Sequence, residues 1–97
     1  MSMNRLVRRP SKSLLHARRD GLRWLFGSLV QDRREMIHRS VEDAARLAGM
    51  ESSEWAAVEA GHIPADPARL RSMAAALEIR FDQMAMLVHL CQDAWAE

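Results

Sequence analysis

Apolar residues recur along this chain at intervals of three and four, the spacing that gathers side chains on one face of an α-helix; no stretch alternates as a strand requires. Leu22, Leu25, Phe26, Leu29, Val30, Met36 and Ile37 keep this interval and predict a first main helix over residues 22–38. Ser40 followed by Asp43 marks a second start, because the hydroxyl can satisfy an orphan N–H and the carboxylate suits the positive end of the helix dipole. That helix is expected over 41–48, closed by Gly49, with Met50 dropping into the core from the turn. Glu51 or Ser52 caps a third helix over 52–60, which carries Trp55 and Val58 and stops at Gly61. Asp66-Pro67 sets a cap followed by proline in the first turn, opening a fourth helix over 67–78 with Leu70, Met73, Ala74 and Leu77 inward. Phe81 and Asp82 offer a staple and a cap for a last helix over 83–95, with Met86 placed to meet Phe81.

Ahead of these elements, residues 1–10 hold little apolar surface to bury and are expected to be disordered alone. Ser11 is expected to cap a short helix over 12–19, with Asp20-Gly21 as a break. The chain thus divides into a basic, partly disordered N-terminal arm over 1–21 and a domain over 22–97. The expected fold class is all-α, a compact five-helix domain with that arm attached.

The last helix adds a question. Met84, Leu87, Val88, Cys91 and Trp95 form one stripe, which Met86, Leu90 and Ala94 widen beyond what one small domain needs. Either Leu87, Leu90, Cys91, Ala94 and Trp95 form the interface of a homodimer, or the helix folds back on the N-terminal one.

Charge changes the picture more than composition does. The net charge is only +1, but residues 1–39 hold ten basic and three acidic residues, and residues 40–97 hold four basic and ten acidic ones. Such asymmetry fits a polyanion-seeking arm on an acidic body, or else a disordered leader. With 48% hydrophobic residues the 97-residue chain can bury a modest helical core as one domain. Cys91 is the single cysteine, and His16, His38, His62 and His89 lack metal-ligand spacing, so neither a disulfide framework, a metal nor a cofactor is expected. No apolar run reaches the 18 or so residues of a membrane span, and the basic N-terminus lacks an apolar targeting core, so a soluble cytoplasmic protein is expected. No nucleophile elbow, phosphate loop or metalloprotease spacing is present, which argues against an enzyme.

Between residues 34 and 79 the chain carries Arg34, Ser40, Ala45, Gly49, Trp55, Val58, Glu59, Gly61, Pro64, Ala74, Leu77 and Ile79. In this order and spacing they resemble the helix-turn-helix of phage-repressor-type regulators, the Xre or Cro-like family. The resemblance covers about half of the chain and implies a DNA-binding transcriptional regulator that meets a duplex operator as a dimer. It implies a structural ion pair between Arg34 and Glu59, and core roles for Trp55 and Val58. It places DNA contacts on Ser40 and on Ser52, Ser53 and Ala57 of the third helix, while Arg5, Arg8, Arg9, Lys12 and Arg39 supply phosphate-seeking charge.

Three departures weaken direct base readout. The third helix offers Glu51, Ser52, Ser53, Glu54, Ala56 and Ala57 but no bidentate Arg or Gln. Val41 stands where many relatives have a phosphate-contacting Gln, and Ala44 where they often have Leu, leaving space that Trp55 can fill. The alternative is a protein-interaction module, antitoxin-like or an adaptor subunit, whose acidic third helix meets a basic partner.

Overall fold

The computed structural model describes the backbone of residues 11–93 and the side chains of residues 22–91. It contains five helices: α1 Ser11–Met36, α2 Val41–Leu47, α3 Ser52–Glu59, α4 Pro67–Ala76 and α5 Phe81–Asp93. No strand occurs among the described residues, so the all-α expectation holds. Arg5, Arg8, Arg9, Ala94 and Trp95 lie outside the described residues.

The largest difference from expectation is α1. It runs for 26 residues without a break at Asp20-Gly21, so the division at residue 21 falls inside a helix and Ser11 is a helical residue. A glycine in a helix interior costs about 1 kcal/mol relative to alanine, which long flanks of Leu, Arg and Ala outweigh once the helix is nucleated. The helix ends at Met36, two residues before the expected His38, because His38 takes a left-handed conformation with φ 58°.

The shorter helices follow their punctuation. Ser40 Oγ accepts from the Asp43 N–H at 3.0 Å and starts α2. Gly49, at φ 68°, turns the chain out of α2 at a position where a side chain would be strained. Asp66 Oδ1 accepts from the Ala68 N–H at 3.0 Å, with Pro67 opening α4. The start of α5 differs from expectation. Phe81 is its first residue, and the chain is capped by Gln83, whose Oε1 accepts from the Arg80 N–H at 3.0 Å. Met86, expected to meet Phe81, is exposed, and the Arg71 guanidinium lies over the Phe81 ring at 4.4 Å, a cation on an aromatic face.

Helix α1 packs on α3 and α5, α2 on α3 and α4, and α4 on α5, enclosing one core. Phe26, Trp55, Met73, Leu77 and Met84 are its largest members, each about 1.5–3 kcal/mol of burial. Two arginines close the C-terminal end of α4, whose last carbonyls have no partner within the helix. Arg33 donates from Nε to the Leu77 carbonyl and from Nη2 to the Glu78 carbonyl, and Arg39 donates from Nε to the Ala76 carbonyl.

Helix α1 reaches α3 at Gly27, where an added Cβ would collide with the Glu59 carbonyl oxygen. Gly27→Ala is therefore expected to destabilise the fold by about 1–3 kcal/mol despite alanine's better helix propensity, as read by urea denaturation. An unchanged or raised midpoint would show that the crossing is not close. By contrast, His38→Gly should stabilise by about 1 kcal/mol in the same assay, since it relieves a left-handed residue carrying a Cβ.

Candidate nucleic-acid interface

The pair of short helices α2 and α3, joined by residues 48–51, presents α3 at the surface. Its N-terminus is fixed by sequence-local bonds: the Glu51 N–H donates to Glu54 Oε1 at 2.8 Å. That bond first, and the nearby Arg69 after it, hold the Glu54 carboxyl below the usual carboxylate range. Its C-terminus is fixed from behind. Arg34 donates from Nε to Glu59 Oε2 at 2.6 Å and from Nη2 to Oε1 at 3.1 Å, the two-pronged pair expected from the sequence. Trp55 Nε1 adds a third donor to Oε2 at 2.7 Å, and Arg34 Nη1 also holds the Arg39 carbonyl at 2.8 Å. The Glu59 carboxylate raises the Arg34 guanidinium above its ordinary value against the opposing effect of burial.

Trp55 and Val58 face the core, as expected, with Ala44 fully buried across from them. This leaves Ser52, Ser53, Ala56, Ala57 and Ala60 exposed along the outer face of α3. All five are small, Ala60 following the last residue of the helix, so the ridge is smooth except at Glu54, whose exposed carboxylate joins the two serine hydroxyls as its polar groups. Beside it a cleft of about 680 Å³ is lined by Met50, Ser53, Ala57, His62, Asp66 and Arg69.

The site residues expected from the sequence separate into three groups. Ser52, Ser53 and Ala57 share the exposed face of α3. Ser40 is exposed, but its hydroxyl is occupied as the cap of α2. Arg39 is not a free cation: its Nε is bonded to α4 and its Nη2 to Glu78 at 2.6 Å. Of the arm, Arg5, Arg8 and Arg9 lie outside the described residues, as does the side chain of Lys12. The expected C-terminal pairing stripe also changes. Cys91 is 3% exposed within its own core and so is removed from any partner surface, Leu87 is partly buried, and Leu90 is 59% exposed. The fold-back of α5 on α1 accounts for Cys91.

Arg23 was missed as an individual candidate. It is exposed and borders a small cleft with Gly61, His62 and Ile63, so α1 brings a cation to the C-terminal end of α3. Only its membership of the basic first segment hinted at this. Elsewhere on the body, Arg46 pairs with Asp43, Arg69 with Glu54 and Arg80 with Asp82. No metal-binding cluster and no helix long and apolar enough to cross a membrane occur among the described residues. Comparison with known protein families, curated proteins and solved structures finds no match.

Arg34→Ala and Glu59→Ala are each expected to lower stability by roughly 3 kcal/mol, because each leaves the other charge poorly solvated and unpaired. The double variant should lose far less than the sum, giving a coupling above about 1 kcal/mol in a double-mutant cycle by denaturant unfolding. Zero coupling would separate the two residues energetically.

Proposed function

We propose that this chain is a DNA-binding transcriptional regulator of the repressor type, acting in the cytoplasm on a duplex operator as a homodimer. The observation that carries the reading is the outer face of α3: a short exposed helix, braced from behind by Glu59, presents the small side chains Ser52, Ser53, Ala56 and Ala57, with Glu54 the one long side chain among them and paired with Arg69. A helix of this width without bulky side chains fits the major groove, where Ser52 and Ser53 can bond to base edges and Ala57 can touch a thymine methyl. The resemblance between residues 34 and 79 and repressor-type regulators supports it further. Readout of this kind is thin, so affinity comes from phosphate neutralisation by Arg5, Arg8, Arg9 and Lys12 ahead of the body, with Arg23 beside α3.

A second reading, a protein-interaction module using the same face, is favoured by one observation. Arg33, Arg34, Arg39, Arg46, Arg69 and Arg80 all bond within the body, and Glu51 and Glu54 stand exposed at the start of α3. A face so poor in free cations suits a basic protein partner.

Titration of mixed-sequence duplex DNA at two salt concentrations separates the readings. Binding should weaken steeply with salt, and deletion of residues 1–10, which ends before α1 begins, should weaken it for every sequence. Loss of three phosphate contacts should flatten the slope of log K against log salt by about 3. Absence of binding by the full chain at low salt would favour the protein-interaction module, and an unchanged slope after the deletion would remove the arm from the mechanism.

A further inference from the structure

We infer that two copies of this chain pair through α1 in antiparallel fashion, with Leu22 of each copy against Leu29 of the other. Leu22, Leu29 and Met36 are spaced seven residues apart, Leu15 continues the interval in the sequence, and Leu25 falls three residues after Leu22. At about 100° of turn per residue these positions share one stripe of α1, set to one side of the line of Phe26, Val30 and Arg34 that faces the core. An average spacing of 3.5 residues keeps an apolar seam facing a second helix rather than a flat core. The seam is open: Leu25 is 42%, Leu29 39% and Met36 66% exposed, and Leu22 is half-buried. Among the described residues this leaves a partly open row of leucines on a helix whose other side faces the core.

Charge selects the occupant and its direction. The first half of α1, residues 11–23, holds Lys12, Arg18, Arg19 and Arg23 against Asp20. In its second half Arg33 and Arg34 are turned into the body by their bonds to α4 and Glu59, so the outward charges there are Asp32 and Glu35. Parallel pairing would lay the two basic halves together. Antiparallel pairing lays the basic half of each helix along the acidic half of its partner, and the register that joins Leu22 to the partner's Leu29 also brings position 18, an arginine seven residues before Leu25, within one residue of the level of the partner's Asp32, seven residues after Leu25. The surface is complementary to itself about a two-fold axis, which a second copy alone supplies. The inference rests on the homodimer in the proposed function and moves its seam from α5 to α1; it is tested without DNA, so its failure leaves the DNA titration untouched.

Sedimentation of the full chain at micromolar concentration should show a dimer. Leu29→Asp should raise the dimer dissociation constant by more than about tenfold with helical circular dichroism retained, whereas Leu90→Asp on α5 should remain dimeric. Direction is read by cysteines under mild oxidation, with the buried Cys91 left in place. A mixture of Leu22→Cys and Leu29→Cys chains should form the mixed disulfide. Leu22→Cys alone should not crosslink, since its twin would lie about 10 Å further along the helix, too far for a disulfide. The mixed disulfide serves as the readout if Leu29→Asp fails to fold. A monomeric wild type, a folded Leu29→Asp dimer, dissociation by Leu90→Asp, or crosslinking of Leu22→Cys to itself would overturn the inference.

Discussion

The carboxylate of Glu59 is the point on which the fold depends. It accepts three N–H bonds, two from Arg34 and one from Trp55, and so joins α1 to α3 and holds the largest core side chain in place. The side chains of both ions are 11% exposed, so each charge relies on the other for the solvation that water no longer supplies. Gly27 belongs to the same arrangement: only a residue without a Cβ lets α1 come close enough for Arg34 to reach around the end of α3. Ion pair and glycine are two halves of one crossing.

The arginines of the body are mostly mechanical parts. Arg33 and Arg39 replace the missing hydrogen-bond donors at the end of α4, and Arg34 locks α3. This matters for function because a cation whose N–H groups are bonded to its own chain has little to offer a phosphate. Most of the remaining basic residues lie in sequence toward the start of the chain, and the described body contributes exposed Arg23 and an exposed helix.

The great length of α1 has consequences beyond the core. At 26 residues it is twice as long as α5, the helix packed along it. Among the described residues one flank of α1 carries Leu22, Leu29 and Met36 at seven-residue intervals, all at least partly exposed.

The sequence by itself determined the all-helical class, the starts at Ser40 and Asp66, the stops at Gly49 and Gly61, and the Arg34–Glu59 pair. These are decided by bonds within four residues or, for the pair, by a resemblance that carries its geometry with it. Tertiary structure decided the rest. The break expected at Asp20-Gly21 is absent because a local turn preference of about 1 kcal/mol yields to continued helix propagation. Arg39 and Cys91 changed roles for a different reason: Arg39 meets the end of α4 and Cys91 meets the core only after distant segments come together. Periodicity shows that a face is apolar, but which neighbour covers it depends on contacts across the whole chain, and those exist only in the folded state.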